Sequence, residues 1–413
     1  MNSLPETGRS FGGAALIDVA AERLQTAGSD LASHFNAAGA ALPSRGVIDV
    51  VVQHLRLEES IGGYEAAAQE RPRVEAIYDS AARLVNARRD EIALLDSATT
   101  GLRVLVEALR PTHPRRIIAT SSTYVSHALH LLTLAKEQGV ELLVAPTGSD
   151  RQVDLEALDR LLAEGPPTIV TAAHIPTSSG LVEPVAQIGA LVKSHGGLYL
   201  LDATQSVGHL DVDVEAIGCD MLVTTGRKFL RAPRGTGFAY VRAELARRLV
   251  PNTPDVRASQ WTSAFDWDVE PSARRFETWE SAVAARLGLG AAIDEALARG
   301  VESTAQWLVH AGRAIRSGLA QIQGVTVADP LEAPSAIVTF VVDGVDAGEV
   351  VAHLAGRGVR VVSVPATHGQ WDLGERGITA VVRASAHVYN DENDVAALLD
   401  GVAALASKTR AAV

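Results

Sequence analysis

The stretch LVTTGRKFLRAPRGTGFAYV, residues 222–241, gathers cationic side chains around one lysine. Lys228 follows an apolar, β-branched run and a glycine, and a Gly-rich segment comes after it. Arg227, Arg231 and Arg234 lie close to it in the chain. A solvated charged face would scatter these groups, so their density predicts that an anionic ligand binds at this loop.

Further polar residues at the ends of predicted strands complete a set of groups that suits one cofactor. Asp202 ends the apolar run GLYLL, and Gln205 follows it. Thr99 and Thr100 open the helical pattern TTGLRVLVEAL, where hydroxyls and free backbone N–H groups favour an anion. Each alone has an ordinary explanation as a cap or turn residue. With Lys228 they supply an amine, a carboxylate and a phosphate cradle, as pyridoxal 5′-phosphate (PLP) requires.

The order of predicted elements places these groups at one edge of a parallel sheet. Short aliphatic or β-branched runs alternate with helical patterns, which is typical of βαβ units. Seven strands are predicted, in EIALLDSA, RRIIATSS, VELLVAP, PTIVTAAHIP, GLYLLDATQ, CDMLVTTG and GTGFAYVR. Because open α/β sheets bind ligands at the carboxyl ends of their strands, we expect the functional site there.

The rest of the chain predicts a second, smaller unit. From about residue 330, the strand patterns AIVTFVVDG, VRVVSV and AVVRASAHVYN alternate with helices. One long helix near residues 281–323 is predicted to link the two parts. The expected division is an N-terminal arm over 1–45, a large PLP-binding domain over 46–280, a connecting helix over 281–325 and a small C-terminal domain over 326–413.

Composition excludes several classes of protein. A formal net charge of −12 argues against sequence-independent nucleic-acid binding. A single cysteine, Cys219, excludes an internal disulfide and a structural zinc site, and it favours a reducing compartment. There is no apolar run of about 18 residues and no apolar signal core in MNSLPETGRSFGG. We therefore expect a soluble, cytoplasmic protein that binds no nucleic acid, membrane or metal.

The chain resembles the class V aminotransferase family of fold-type I PLP-dependent enzymes, which includes cysteine desulfurases and isopenicillin N epimerase-like proteins. The resemblance runs from FNAAGAALPS to VRASAHVYNDENDVAALL, and its most specific part lies between AHIPTSSG and GTGFAYVR. It implies an α/β fold with a large domain built on a mainly parallel seven-stranded sheet and a smaller C-terminal α+β domain. It also implies a homodimer with the sites at the interface.

The resemblance implies roles for the residues around the cofactor. Lys228 would form the Schiff base with the PLP aldehyde and move protons once the substrate has displaced it. Asp202 would pair with the pyridine nitrogen, Gln205 would reach the phenolic oxygen, and Tyr124 of SSTYVSHAL would stack on the ring. The phosphate would be held by Thr99, Thr100, Thr225 and Arg227.

On the substrate side, Arg383 of VRASAHVYN matches the family arginine that holds the α-carboxylate, a bidentate task that suits guanidinium. Asn36 matches the N-terminal segment that closes over the substrate. His174, assigned here to the catalytic set, begins HIPTSSG. Thr177 stands where the family often has an asparagine, which is a departure at a polar contact to the cofactor.

Departures from the family pattern narrow the reaction. A desulfurase needs a nucleophilic cysteine before the RAS strand, and VSVPATHGQWDLGERGITAVVRAS contains none. Cys219 is predicted to be a small core residue. Trp279 and Glu280 after RFE, with Arg227 before the lysine, resemble ergothioneine-pathway carbon–sulfur lyases and lincosamide-pathway sulfur-processing enzymes. They imply a β-lyase that cleaves a small-molecule amino-acid S-conjugate to thiol, pyruvate and ammonia.

Several alternatives stay open. One is decarboxylation coupled to oxidative deamination of a cysteine S-conjugate in antibiotic biosynthesis, and others are epimerisation and transamination. A binding module that keeps the PLP fold without catalysis is the alternative outside enzymology. The joint presence of Lys228, Asp202 and Arg383 favours an enzyme, because a degenerate copy would be expected to lose one of them.

Two groups of residues have more than one interpretation. Arg231 and Arg234 either clamp the loop around Lys228 or contact a ligand. The aromatic residues of RASQWTSAFDWDVEP either pack in the core, as is usual, or form a wall near the site entrance.

Overall fold

A seven-stranded sheet forms the centre of the molecule. The structure, a computed structural model, describes residues 17–109, 116–166 and 168–411. The predicted arm therefore lies partly outside the described residues, as do the first residues of the predicted strands RRIIATSS and PTIVTAAHIP.

Strands and helices alternate along most of the chain. The strands are β1 (Ser33–His34), β2 (Ile92–Leu95), β3 (Arg116–Ala119), β4 (Glu141–Val144), β5 (Ile169–Ala173), β6 (Leu198–Asp202), β7 (Met221–Thr225), β8 (Gly237–Val241), β9 (Ser259–Ser263), β10 (Asp266–Val269), β11 (Val325–Val327), β12 (Ile337–Val342), β13 (Val359–Arg360), β14 (Val362–Pro365) and β15 (Ala380–Ser385). The helices are α1 (Val19–Leu24), α2 (Ala37–Ala40), α3 (Arg45–Ile61), α4 (Gly63–Gln69), α5 (Arg71–Leu84), α6 (Ala98–Leu109), α7 (Val125–Gln138), α8 (Leu155–Ala163), α9 (Val185–Ser194), α10 (Val214–Ile217), α11 (Ala243–Arg248), α12 (Val283–Arg299), α13 (Val301–Ala320), α14 (Ala347–Ala355) and α15 (Glu392–Ala411). Short 3₁₀ turns lie at Ala27–Asp30, Arg89–Glu91, Ala273–Phe276 and Ala366–His368, and a π-helical turn lies at Gln370–Gly374.

The central sheet has the strand order β2-β8-β7-β6-β5-β3-β4. Strands β3 to β7 pair in parallel, and β8 is antiparallel to both β7 and β2. All seven predicted strands are present, and only β8 opposes the common direction. The predicted α/β architecture with a mainly parallel seven-stranded sheet is confirmed.

Apolar side chains on both faces explain why the inner strands read as continuous hydrophobic runs. In β6, Tyr199 and Leu201 pack into one apolar cluster, whereas Leu198 and Leu200 pack into another. Asp202 ends this strand, and Thr225 ends the neighbouring β7. The sheet therefore carries two polar side chains to its carboxyl edge side by side.

A second sheet of four antiparallel strands, in the order β11-β12-β15-β14, forms the C-terminal α+β part. Helices α13, α14 and α15 pack on it through one apolar cluster, to which Leu308, Val350 and Leu398 belong. Phe35 of the N-terminal arm lies in the same cluster, and β1 pairs with β13. The arm is thus bound to the C-terminal part of the chain.

The prediction of a single long helix near residues 281–323 is wrong, because two helices, α12 and α13, lie there. Gly300 lies at φ 92 between α12 and α13, in a backbone region that L side chains rarely adopt, and it ends one helix and starts the next. The apolar pattern continues across the break, so periodicity did not show it. The boundaries of the four predicted segments stay a prediction.

Of the two interpretations of the aromatic segment near residue 265, packing in the core is wrong. This segment is the antiparallel hairpin β9–β10, in which Trp261 is 80% exposed and Phe265 is 100% exposed. The alternative role, as a wall near the site entrance, stays a prediction. Within the described residues, no helix combines the length and apolarity needed to cross a bilayer.

Close packing of α13 on the loop before β12 generates a stability prediction. A Cβ added at Gly312 would lie 2.0 Å from the carbonyl oxygen of Ser335. We expect Gly312→Ala to lower the free energy of unfolding by about 1–3 kcal/mol through overpacking, despite the better helix propensity of alanine. Chemical denaturation measures this. The control is Gly63→Ala at the start of α4, where an added Cβ meets nothing within 4 Å. A Gly312→Ala protein as stable as the control would contradict the packing.

Candidate active site

A cavity at the carboxyl edge of the central sheet gathers side chains from several segments. Seven of the predicted site residues line it: Thr99, Tyr124, Asp202, Gln205, Thr225, Arg227 and Lys228. Ser97, Ser122, Thr177 and Thr204 also contribute to its walls. The cavity therefore combines cationic groups and hydroxyls with one carboxylate.

Lys228 is buried in the turn that follows β7, and its carbonyl accepts a hydrogen bond from Arg231 N at 2.9 Å. Burial lowers the pKa of its amine to about 7, and repulsion by Arg227 and Arg383 acts in the same direction, whereas Asp202 opposes it. Its Nζ lies 5.8 Å from the centroid of the Tyr124 ring. Near neutral pH a substantial share of this amine is therefore uncharged, which is the form that a nucleophile or a base requires.

Asp202 lies at the last position of β6 and is buried. Its Oδ1 accepts a hydrogen bond from Thr204 N at 3.0 Å. Burial raises the pKa of the carboxyl group, and the Thr204 contacts and the Lys228 charge oppose this rise. A protonated ring nitrogen placed beside this carboxylate would stabilise its charged form.

The N-terminus of α6 forms a wall of the cavity that is suited to an anion. Thr99 lines the cavity there, and Thr225 Oγ1 accepts a hydrogen bond from Ala98 N at 3.3 Å. Arg227 adds a half-buried guanidinium, whose pKa burial and the neighbouring Arg234 lower. A cation, two hydroxyls and a helix N-terminus suit a phosphate group.

The structure does not bring Thr100 into the cavity with Thr99. Thr100 N donates to Ser97 Oγ at 3.2 Å, and the Thr100 and Ser97 hydroxyls are 3.1 Å apart. Ser97 lines the cavity in its place. The sequence signal for Ser97 was its position just before the helical pattern, where serine is a frequent cap.

Gln205 connects the cavity to the N-terminal arm, because its Nε2 donates to the carbonyl of Ala38 at 3.1 Å. Its Oε1 is buried with no hydrogen-bond partner among the described residues. An unpaired buried amide is costly, so this atom is suited to a polar ligand in the cavity. Together with the lysine, the carboxylate and the phosphate wall, it fits PLP.

Arg383 of β15 and Asn36 do not line the cavity themselves, but Arg383 holds Thr177, which does. Its Nη1 donates to Thr177 O at 2.9 Å and to Thr177 Oγ1 at 2.7 Å, while Nη2 donates to Asn36 Oδ1 at 3.2 Å. Its Nε is buried and has no partner within the described ranges. Burial lowers the pKa of this guanidinium to about 10, so it stays charged at neutral pH. The N–H at Nε can donate a hydrogen bond to a carboxylate.

His174 lies beside the cavity rather than on its surface. Its backbone N donates to Asp202 O at 3.0 Å, and its Nδ1 has no partner in the part of the chain described. Burial lowers its pKa to about 4, so the ring is neutral near pH 7.

Arg231 clamps the loop around Lys228, which is called the lysine loop below. This decides between its two interpretations, as a clamp of the loop or as a ligand contact. Its Nε donates to Leu42 O at 2.8 Å and its Nη1 to Glu22 Oε2 at 2.7 Å, and Nη2 contacts the Thr26 hydroxyl. It is buried, whereas Arg234 is exposed. Arg231 therefore ties the loop to the N-terminal arm.

The chain is similar to known proteins along most of its length. The profile of the family described as Aminotransferase class-V matches residues 34–398. The chain is 28% identical over 402 residues to a Probable hercynylcysteine sulfoxide lyase of Mycobacterium tuberculosis, covering 95% of each chain. It is 26% identical over 337 residues to a Probable cysteine desulfurase of Methanothermobacter thermautotrophicus, covering 81% of this chain and 84% of that protein.

Among solved structures, the cysteine desulfurase CsdA of Escherichia coli superimposes with a TM-score of 0.86. The match covers 95% of this chain and 99% of that one at 22% identity, which shows that the two share a fold.

The depressed pKa of Lys228 predicts how the protein reacts with an aldehyde. Prepared free of cofactor, the protein should react with PLP at Lys228, and the rate should rise as the pH increases through about 7 and then level off. The reason is that only the neutral amine attacks the aldehyde. Borohydride reduction over a series of pH values, followed by peptide mass spectrometry, measures the adduct.

The chain offers a matched control, because Lys136, Lys193 and Lys408 are its only other lysines and all three are exposed. Lys193→Arg should retain the adduct, and Lys228→Arg should lose it. An adduct that forms only when the pH approaches the pKa of an ordinary lysine would show that the amine is not desolvated.

Proposed function

The chain belongs to the aminotransferase class-V family, and from this premise we propose that it is a PLP-dependent carbon–sulfur β-lyase. Its substrate would be a cysteine S-conjugate, and its products a thiol, pyruvate and ammonia. Relatives at this level of similarity are named as a hercynylcysteine sulfoxide lyase and as cysteine desulfurases. All of these names refer to chemistry at the sulfur of a cysteine-derived compound.

When bound, PLP supplies an aldehyde for the substrate amine and a conjugated ring that stabilises the charge released at Cα. Asp202 would hold the ring nitrogen in its protonated form, since the buried carboxylate gains from an adjacent positive charge. Gln205 would contact the ring oxygen, and Tyr124 would cover a ring face. The phosphate would lie against Thr99, Thr225 and Arg227.

Arg383 would bind the substrate α-carboxylate through its Nε edge. Thr177 and Asn36 already occupy the other side of the guanidinium, so its orientation is fixed before the substrate arrives. A fixed carboxylate restricts rotation about the bonds at Cα, and this selects which of those bonds stands perpendicular to the cofactor ring and breaks. Thr177, which stands where the family often has an asparagine, thus contacts the arginine that would bind the substrate.

Lys228 would remove the proton from Cα with its Nζ, for which a lowered pKa is required at neutral pH. The electron pair left at Cα forms a double bond to Cβ as the Cβ–S bond breaks, and the sulfur leaves with a proton as the thiol. Water then converts the released enamine to pyruvate and ammonia. The sum is one S-conjugate and one water giving one thiol, one pyruvate and one ammonia.

The observation that carries the choice of a lyase is the position of Cys219, the single cysteine of the chain. It is buried in the apolar cluster under the central sheet, and burial raises the pKa of its thiol. A persulfide route needs an accessible thiolate to take up the sulfur. Since this chain does not supply one, the sulfur would depart with its organic group, as in ergothioneine- or lincosamide-type biosynthesis.

We also propose a homodimer, for which an exposed apolar surface is the support. On α3, Ile48, Val52 and Leu55 project from one helix face and remain about half exposed. Trp261 and Phe265 of the β9–β10 hairpin add exposed aromatic area. Apolar surface of this kind marks an interaction site, and a second copy of the same chain is the commonest partner.

The reaction is tested by incubating the PLP-loaded protein with a panel of cysteine S-conjugates under air. Pyruvate and thiol are expected in equal amounts, and Lys228→Ala should lower kcat/KM by at least about 10²-fold because the base is lost. Lys193→Ala is the control and should keep native rates. Mass spectrometry and a coupled pyruvate assay measure the products.

Other products would contradict the β-lyase. Carbon dioxide and hydrogen peroxide with the sulfur retained would establish decarboxylation with oxidative deamination. An epimerised or transaminated substrate with its sulfur intact would establish one of the remaining family reactions.

The dimer is tested by analytical ultracentrifugation of Val52→Asp/Leu55→Asp. The native protein should sediment as a dimer and the variant as a monomer, because two charges would lose their hydration at the interface. Gln53→Asp places a charge at an exposed neighbouring position of α3 and should leave the dimer intact. A native protein that sediments as a monomer would overturn the proposal.

A further inference from the structure

A buried stack of rings lies beside the lysine loop. The Phe229 ring lies 4.0 Å from the His209 ring on one side and 5.7 Å from the His387 ring on the other, at interplanar angles of 20° and 21°. The Tyr389 ring continues the stack 5.2 Å beyond His387. Arg231, the clamp of the lysine loop, covers the far face of Tyr389 at 5.3 Å. We refer to these five residues as the ring stack.

His209 connects the cofactor cavity to the C-terminal sheet. Its Nε2 accepts a hydrogen bond from the backbone N–H of Ala336, which directly precedes β12, at 2.8 Å. The proton of the neutral ring is therefore on Nδ1, which donates to the carbonyl of Gln205 at 2.9 Å. One imidazole thus fixes the backbone of a cavity residue relative to the second sheet.

His387, which also stacks on Phe229, makes the equivalent connection. Its Nδ1 accepts from the N–H of Val388 at 2.8 Å, so its Nε2 carries the proton and donates to the carbonyl of Phe229 at 3.0 Å. Phe229 directly follows Lys228. The two histidines therefore have opposite tautomers and the same task. Each donates to a carbonyl, that of Gln205 in the cavity wall or that of Phe229 next to Lys228, and each accepts from an N–H of the C-terminal part.

Neither ring can gain a proton without breaking one of these bonds, because the second N–H would point at a backbone N–H. Burial agrees with this, since it lowers the pKa of His209 to about 3 and that of His387 well below its usual value. Both histidines are consequently neutral in the working range of pH, and they act through fixed hydrogen bonds rather than through charge.

We propose that His209 and His387 are positioning residues that hold Lys228 and Gln205 at a set depth in the cavity. The depth of Lys228 matters because the charge on its nitrogen, whether free or joined to PLP, depends on burial and on the nearby charges of Arg227, Arg383 and Asp202. This inference rests on the proposed function in so far as Lys228 is the residue that holds PLP. The competing explanation is that the rings only fill the core.

The test is the pH midpoint of the visible absorption band of the PLP-loaded protein. His387→Leu and His209→Leu should each shift this midpoint by about 0.5 pH unit or more, because the lysine loop or the Gln205 turn is no longer held. His387→Gln keeps an amide donor near the position of Nε2 and His209→Asn keeps one near Nδ1, so these two variants should return toward the native midpoint. Val350→Ala of α14 is the control, since it loses buried volume in the C-terminal cluster without touching either carbonyl.

Unfolding is measured on the same proteins to separate positioning from packing. Val350→Ala should lower stability and leave the midpoint unchanged. If the leucine variants also lose stability while keeping the native midpoint, the histidines only fill the core and the proposal is wrong. Should either leucine variant fail to fold, the comparison of His387→Asn with His387→Gln carries the test. The asparagine side chain is too short to reach the Phe229 carbonyl. The asparagine variant must then differ from His387→Gln, and equal midpoints would overturn the proposal.

The failure of the proposed function has a different signature. A native protein whose PLP produces no lysine-dependent band would remove the premise that Lys228 holds the cofactor. A native band with shifted variants, together with no release of thiol from S-conjugates, would leave the positioning role intact and remove the proposed reaction.

Discussion

The burial of one amine is the constraint on which this site depends. Lys228 lies in a region where a charged ammonium group is poorly solvated, and Arg227 and Arg383 add repulsion to the cost of burial. Asp202 offsets only part of this, because burial also works against its own charge. The balance leaves a neutral amine near physiological pH. A lysine on the surface would stay protonated and could serve neither as a nucleophile nor as a base.

Keeping that amine buried requires three parts of the chain to meet. The central sheet supplies Asp202 from β6 and Lys228 after β7, whereas Arg383 comes from the C-terminal sheet and Asn36 from the N-terminal arm. Asp329 helps to join the sheets, because its carboxylate accepts hydrogen bonds from Gly180 N at 2.9 Å and Thr339 N at 2.8 Å. It thereby fixes the loop whose Thr177 accepts hydrogen bonds from Arg383.

The sequence predicted the strands well because each inner strand is covered on both faces and reads as an apolar run. It singled out Lys228 and Asp202, which the structure brings into one cavity, because their chemistry is demanding and they stand in a specific family pattern; their roles stay predictions. It did not reveal the break at Gly300, since apolar residues continue on both sides of it. The exposure of the aromatic hairpin was left open because aromatic residues are usually buried.

Contacts between distant segments explain the remaining omissions. Thr99 and Thr100 look equivalent in the sequence, yet only the turn geometry decides that Thr99 lines the cavity while Thr100 bonds Ser97. The tautomers of His209 and His387 depend on backbone groups far away in the chain. No local pattern encodes such pairings, because each is set by where two separate elements pack.

The most direct measurement of the central claim is a crystal structure of the protein grown with PLP. The account predicts continuous density between the cofactor and Nζ of Lys228, the ring nitrogen within hydrogen-bonding distance of Asp202, and the phosphate against Thr225 and Arg227. Cofactor bound at another lysine, or bound in this cavity with its ring nitrogen away from Asp202, would contradict it.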